Sequence, residues 1–304
     1  MVSKHPKGAG LKKQIRILLL LVIVLATAYG WADFPDEPVL VVNNASQRYQ
    51  AVAPCDLDHS VVADVASGSL AASTTGISSE AIKLLSWNIY KGSEAEWSGD
   101  YQRLAKGKDI VLLQEGVLDA DIPVKLSEQH QFWRSVVAFH YGDSPSGVLT
   151  ASQEKPLSEC GLLESEPLIQ VPKSALVSYH AIAGSDQQLL VANVHAINFT
   201  LGLGSYRAQF QALTERLKKH QGPMVVAGDF NSWSESRFEV LNEMREALSL
   251  HRLDYPNDLR SQIFDRPIDE VFYRQLEPIS QQVYSVTSSD HNPIEVTFRL
   301  VSSG

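Results

Sequence analysis

The sequence predicts an α/β fold in which two β-sheets pack face to face with helices outside them. Two observations predict it. Short apolar runs of strand length recur through roughly 220 residues, and stretches with helical apolar spacing lie between some of them. At 304 residues, 44% hydrophobic and 20% charged, the composition is that of a globular chain holding one large domain or two small ones.

Residues 1–28 stand apart. Lys4, Lys7, Lys12, Lys13 and Arg16 precede an apolar run from Ile17 to Ala26, which ends in Ala26-Thr27-Ala28. This is the pattern of a secretory signal, with cleavage expected after Ala28. The competing reading is an uncleaved membrane anchor, because Tyr29, Gly30, Trp31 and Ala32 lengthen the segment to about 16 residues, against the ~20 of a spanning helix. Either way the body is expected to be exported, periplasmic or tethered to the inner membrane if the source is bacterial. Residues 29–79 read as an N-terminal segment and linker: Pro35, Pro38 and Pro54 punctuate it, Val39 to Val42 is a short apolar run, and 63–79 is mostly Ala, Ser, Gly and Thr. The folded domain is expected over residues 80–300.

Within it, KLLSWN (83–88), DIVLLQE (109–115), GVLTAS (147–152), SALVSYH (174–180), QLLVANVH (188–195), MVVAGD (224–229), DEVFYR (269–274) and IEVTFR (294–299) read as strands. Ser205 is placed to cap a helix with Tyr206, Phe210, Leu213 and Leu217 on one stripe and Lys218 and Lys219 at its end. A second helix is expected from about Ser236 to Leu250, with Phe238, Leu241, Met244 and Leu248 inward. There is no internal repeat.

Removing residues 1–28 takes away five Lys and Arg and no acid, so the formal charge falls from −9 to −14. Such a chain does not hold polyanions by bulk attraction, and charge does not favour nucleic acid as a partner. The two cysteines, Cys55 and Cys160, exclude a disulfide-dense scaffold and a Cys-based zinc site. Export leaves a single Cys55–Cys160 bridge or two free thiols as alternatives. The chain is expected to act as a monomer.

In MVVAGDFNSW (224–233) the apolar run stops at Gly228 and presents Asp229 and Asn231 with Phe230 between them. Alone, this is a turn. Other strands end in a similar way: KLLSWN in Asn88, DIVLLQE in Glu115, and QLLVANVH in His195 with Asn198 three on. RPIDEVFYR opens on Asp269, and SSDHNP sets Asp290 and His291 before the last strand. Turn chemistry gives no reason for Glu and His to recur at strand ends.

Glu115, Asp290 and the amide oxygen of Asn88 make an oxygen-only set suited to Mg²⁺ or Mn²⁺. An ion held there lets an acidic protein bind a phosphoester substrate. Asp229 is then the candidate base toward a water, and Asn231 bonds that water or a phosphoryl oxygen, while Phe230 points oppositely into the core. His195 and His291 are candidate donors to phosphate oxygens, with Asp269 fixing the tautomer of His291. Trp87 and Trp233 read as packing, and the remaining histidines as ordinary surface or core residues.

In chain order, SWN, LLQE, VHAIN, AGDFN, PIDEVF and SDHNP resemble the endonuclease/exonuclease/phosphatase superfamily over about residues 80–300. That group contains DNase I-like nucleases, abasic-site endonucleases, sphingomyelinases and inositol polyphosphate 5-phosphatases. LSWNIYKG, SALVSYH, NVHAINF and SDHNP look like its bacterial YafD-like branch. The resemblance implies a four-layer α/β sandwich of two mainly antiparallel sheets, DNase I-like, with the active site where the sheets meet. It implies Glu115 as principal metal ligand with Asn88 and Asp290 close by, Asp229 and Asn231 at the nucleophilic water, and the Asp269–His291 pair on the phosphate.

Tyr90 stands where abasic-site endonucleases carry an acid, and His195 where they carry Tyr, which is closer to the DNase I and sphingomyelinase pattern. DNase I-like enzymes support that His with a further Glu, and the resemblance implies Glu164 or Glu166 as its counterpart behind His195. The expected function is a metal-dependent phosphodiesterase. The alternatives are a sphingomyelinase-like phospholipid hydrolase, brought to a membrane by the N-terminal segment, and a non-catalytic phosphate-binding module. No basic stripe with interleaved aromatics supports nucleic-acid tracking, and TLGLG (200–204) is the one apolar loop in view.

Overall fold

The computed structural model describes residues 34–45, 47–55, 75–119, 121–167, 171–200 and 202–301. The signal or anchor expected at 1–28, and most of the linker read at 63–79, lie outside them. In chain order the strands are β1 (Val39–Asn44), β2 (Gln47–Val52), β3 (Ile77–Ser78), β4 (Ile82–Asn88), β5 (Ile110–Val117), β6 (Phe132–Tyr141), β7 (Ser144–Ser152), β8 (Ser158–Ser165) and β9 (Pro172–Ala183). They continue as β10 (Gln188–His195), β11 (Met224–Asp229), β12 (His251–Arg252), β13 (Gln262–Ile263), β14 (Arg266–Pro267), β15 (Asp269–Arg274), β16 (Leu276–Val283) and β17 (Ile294–Leu300). The helices are α1 (Trp97–Ala105), α2 (Ile122–Gln129), α3 (Gly204–Leu217) and α4 (Glu235–Ala247). Among the described residues no helix is long and apolar enough to cross a membrane.

Strand side chains alternate between faces, and the central strands are apolar on both, as strands covered on two sides must be. From β4 and β5, Ile82, Leu84, Ile110 and Leu112 meet Leu189 and Val191 of β10 and Val225 and Ala227 of β11 in one buried cluster between the sheets. The opposite faces carry Leu85, Trp87, Val111 and Leu113, which α1 and α2 cover through Tyr101, Leu104, Ile122 and Leu126. Leu190, Ala192, Met224 and Val226 are covered by α3 and α4 through Tyr206, Phe210, Leu241 and Met244. Helix, sheet, sheet, helix: the four layers follow from which residues fall on which parity.

One sheet has the order β16-β17-β4-β5-β7-β6-β1-β2; the other runs β12-β15-β11-β10-β9-β3, with β8 paired to β9. Pairing is antiparallel except at β4–β5, β10–β11 and β3–β9. Those parallel pairs bring the C-terminal ends of β4 and β5, and of β10 and β11, to one end of the sandwich.

The sheet does not start at Glu80. β1 pairs with β6 and with β2, so part of the 29–79 segment is built into the first sheet. The bridge between Cys55 and Cys160 forms across a sequence separation of 105, fastening that segment to β8. Ser205 does not cap α3; the helix starts at Gly204 with Leu203 at the cap position and no side-chain bond there. In α4 the cap is Ser234, whose Oγ accepts from the Arg237 N–H. The strands β6, β8 and β16 and the helices α1 and α2 add to what the apolar runs disclosed.

Candidate active site

The inward-facing series on each central strand starts apolar and ends polar, always at the same end. On β4 it reads Ile82, Leu84, Ser86, Asn88; on β10 Leu189, Val191, Asn193, His195; on β11 Val225, Ala227, Asp229. The antiparallel β15 begins there with Asp269, followed on the same face by Val271. Register sets His195 beside Asp229 and Asp229 beside Asp269. Just inside this rim, Gln114 Nε2 donates to Asn193 Oδ1 at 2.7 Å, a buried polar clamp between the sheets.

Two backbone departures complete the set. A register shift in β5 between Leu113 and Gly116 places Glu115 in the left-handed region at φ 56. Glu115 has the parity of Val111 and Leu113, which face the helices, and the bulge turns it to the site. Asn231, at φ 48, closes the turn after β11, its N–H donating to Asp229 Oδ1 at 2.9 Å. Gly228 is required because a Cβ there would lie 2.0 Å from the Val194 carbonyl oxygen.

Asp229 is the hub. Its Oδ2 accepts from Asn88 Nδ2 at 3.1 Å and lies 3.6 Å from His195 Nε2 and 3.8 Å from His291 Nε2. Glu115 Oε1 is 3.7 Å from His195 Nε2, and its Oε2 accepts from Lys91 Nζ at 2.7 Å. His291 Nδ1 is 2.8 Å from Asp269 Oδ2. Phe230 is buried among Phe210 and Phe272, pointing away as alternation requires.

Two of the sequence-chosen residues stand further out. Asp290 is exposed over 60% of its side chain, with Oδ1 4.0 Å from His291 Nε2. Its neighbour Ser289 donates to the Asn88 carbonyl at 2.7 Å, which ties that loop to β4. The Asn198 amide oxygen accepts from Trp233 Nε1 at 3.1 Å. Trp233 therefore orients Asn198 besides packing, and Trp87 similarly holds the last loop through Nε1 to the His291 carbonyl at 3.0 Å.

The carboxylate expected behind His195 is not there. Glu166 Oε1 instead accepts from the Asn198 N–H at 2.7 Å, and the side chain 3.0 Å from His195 Nε2 is that of Lys173. The sequence reading did not select Lys91, Lys173 or Arg237. Fully buried Arg237 donates to the carbonyls of Ile197 at 2.7 Å, Asn231 at 3.0 Å and Asn198 at 2.7 Å, between the Tyr206 and Trp233 rings. It clamps the loop after β10 to the loop after β11.

The electrostatics sort these groups. Burial disfavours the charge of Glu115, but His195 and the Lys91 ammonium outweigh it and hold the carboxyl at about 2. Burial and then Lys173 push His195 down to about 4, so its ring is neutral at pH 7. Burial also opposes a charged His291, yet Asp269 and Asp229 overcome it and raise the ring to about 10. Burial raises Asp229, with His291 pulling the other way. The site thus joins a fixed anion, a neutral imidazole, a cationic imidazole and a carboxylate of raised proton affinity.

Asp229, Asp269 and His291 also present ligand atoms within 4.8 Å of one another, a carboxylate and imidazole group that could hold a metal ion. In that trio the imidazole is protonated and one carboxylate is committed to it. The Glu115 side, whose Oε1 makes no ion pair with a lysine among the described residues, suits a hard cation better.

The model of the Endonuclease/Exonuclease/phosphatase family matches residues 85–291. A UPF0294 protein of Yersinia enterocolitica is 35% identical over 220 residues, covering 72% of this chain and 84% of that protein. The fold is similar to the endonuclease/exonuclease/phosphatase of Bacteroides vulgatus, at TM-score 0.55 and 17% identity over 72% of this chain and 99% of that one. It is also similar to the human Nocturnin catalytic domain with bound sulfate, at TM-score 0.56 and 20% identity over 74% of this chain and 96% of that one.

Proposed function

This chain belongs to the endonuclease/exonuclease/phosphatase family, and from that premise we propose that it hydrolyses a phosphodiester by attack of water, with Mg²⁺ or Mn²⁺ as cofactor. The observation that carries the reading is the Asp229 hub. One carboxylate oxygen lies within 3.8 Å of Asn88, His195 and His291, and His291 is backed by Asp269. The sulfate on the Nocturnin catalytic domain, a tetrahedral oxyanion, supports the same substrate chemistry.

Glu115 would hold the ion, with Asn88 and Asp290 as neighbouring oxygen donors. The donor set fits, because Glu115 stays ionised and Asp229 is a buried carboxylate that a nearby cation would favour in its charged form. Bound there, the ion would offset charge on the phosphate oxygens.

The chain's own residues do the rest. Asp229, with raised proton affinity, takes a proton from the attacking water. Asn231 Nδ2 donates to the Ala196 carbonyl at 3.0 Å, which leaves its amide oxygen to accept from that water rather than touch a phosphoryl oxygen. His291, cationic and fixed through Nδ1 by Asp269, presents Nε2–H to a phosphate oxygen as its charge grows. With the Asn198 amide oxygen held by Trp233, its NH₂ group is left to donate to the phosphate. Export of the domain, as a periplasmic or membrane-tethered enzyme, agrees with the Cys55–Cys160 bridge.

The test is hydrolysis of bis-p-nitrophenyl phosphate with Mg²⁺, Mn²⁺ or EDTA, for the native chain, Asp229→Asn and His291→Gln. Each substitution is expected to lower kcat by about 10³-fold or more, the pair together no further, and EDTA to remove the activity. Equal rates for the native chain and Asp229→Asn would end the proposal.

A further inference from the structure

Ten large apolar side chains are exposed among the described residues, and five of them, Tyr90, Tyr141, Phe199, Leu259 and Phe264, rise from separate loops at the site-bearing end. Tyr90 follows Asn88 and Phe199 follows Asn198. The Leu259 carbonyl accepts from Asn292 Nδ2 at 2.6 Å, next to His291. Phe264 sits at the tip of the β13–β14 hairpin just before Asp269, 79% exposed, and Tyr141 at the β6–β7 turn, 77% exposed. Phe264 meets the Trp233 ring edge-on at 6.1 Å and the Lys91 ammonium lies 4.9 Å over the Tyr90 ring, yet both side chains stay exposed. Aromatic surface left in water around a polar cleft marks a docking surface rather than a core.

Two further observations say what docks. Each protruding tip carries an exposed carboxylate close to its ring in sequence, Asp265 next to Phe264 and Asp143 two residues after Tyr141. A ring with an acid suits the ammonium of a choline or ethanolamine headgroup and repels a polyanion or an anionic lipid. The chain also enters the sandwich from this end. Gly116 is paired with Gly147, Gly147 with Val137 and Val137 with Val39, so the residues before Val39 run past the level of Glu115 on the site side. The apolar run Ile17 to Ala26, behind five Lys and Arg, lies further up that same segment.

We infer that the site-bearing end of the sandwich docks through these aromatic tips on a zwitterionic phospholipid surface, and that the substrate is a phosphodiester carried in a lipid headgroup. The docking stands on the rim alone; only the identity of the cleaved bond rests on the proposed hydrolysis.

The experiment is amide hydrogen exchange on the full chain with vesicles of phosphatidylcholine, compared with vesicles of phosphatidylglycerol. A tether in the N-terminal segment would hold the chain to both, so the rim loops report docking itself. Exchange at 139–144 and 262–267 is expected to slow by about tenfold on phosphatidylcholine and to change little on phosphatidylglycerol. Tyr141→Ser with Leu259→Ser, which leaves Phe264 packed on Trp233, is expected to abolish the slowing while hydrolysis of soluble bis-p-nitrophenyl phosphate stays as in the native chain. No slowing on phosphatidylcholine, or equal slowing in the double variant, overturns the docking. Slowing caused by a single-stranded oligonucleotide instead of by vesicles overturns it too, in favour of a nucleic-acid surface. Docking in a chain that cleaves no phosphoester supports the docking and removes the substrate assignment together with the hydrolase reading. Cleavage of the soluble diester without docking does the reverse.

Discussion

Replacing Arg237 by Lys tests whether the loops that carry Asn198 and Asn231 are held in place by a side chain outside the proposed site. The guanidinium makes three bonds, to the carbonyls of Ile197, Asn198 and Asn231. A hydrogen bond from a charged group contributes about 1.5–3 kcal/mol, and a Lys ammonium, lacking the planar fork, retains about one of the three. The expected loss of stability is therefore about 3–6 kcal/mol, read as a fall in the urea midpoint at unchanged slope. The loops carry Asn198 and Asn231, and a displacement of about 1 Å is enough to lower kcat by about 10²-fold while KM moves little. Trp233→Phe removes only the indole bond to Asn198 and is expected to lower kcat by about tenfold with the midpoint nearly kept. An Arg237→Lys enzyme with native kcat and native midpoint would refute the clamp.

Acid should unfold the protein through its neutral buried histidines. Burial holds His180 at about 3, His130 at about 4 and His195 at about 4, against about 6.5 unfolded, so below pH 6.5 the unfolded state takes up protons first. Each costs about 2 kcal/mol at pH 5, and urea midpoints that rise from pH 7 to pH 5 would contradict this. His291, raised to about 10, works oppositely: its contribution is complete below pH 6.5 and fades as pH climbs toward 10, which predicts a stability maximum near neutrality. Reducing the Cys55–Cys160 bridge, or Cys160→Ser, should lower stability by about 3–5 kcal/mol given the 105-residue separation, with reductant having no effect on the variant. In Gly228→Ala the new Cβ would meet the Val194 carbonyl at 2.0 Å, so a loss above about 3 kcal/mol is expected, and a native-like midpoint would mean that β10 and β11 part freely.

How much of this was legible before any coordinates depended on whether a residue obeyed strand alternation. The central strands did. Their runs gave two sheets with helices outside, and Asn88, His195, Asp229 and Asp269 fall on the inward face by parity alone. The segment before residue 80 reads as a linker because β2 exposes most of its side chains and β1 offers only a short apolar run, so neither carries the local signal of a main-sheet strand. In the same way β8 and β16 are half-buried or edge strands with little apolar signal. Pairing partners far along the chain, rather than local composition, make them strands.

The site residues that escaped reading are those that reach it against parity. Lys173 shares the parity of Ala175 and Val177, which pack under the helices, yet its four-carbon stem carries the ammonium round the end of β9 to His195. Lys91 arrives through a turn with φ 66, and Arg237 from a helix on the far side of the sheet. Glu115 has the wrong parity too, and only its being a Glu at a strand end, which turn chemistry does not favour, marks it in the sequence. What corrects its direction is the bulge between Leu113 and Gly116, where a Cβ on Gly116 would meet Leu149 Cδ1 at 1.7 Å and force that buried side chain to turn. The direction of the carboxylate at position 115 is therefore set by the pairing of β5 with β7, which no local run of residues discloses.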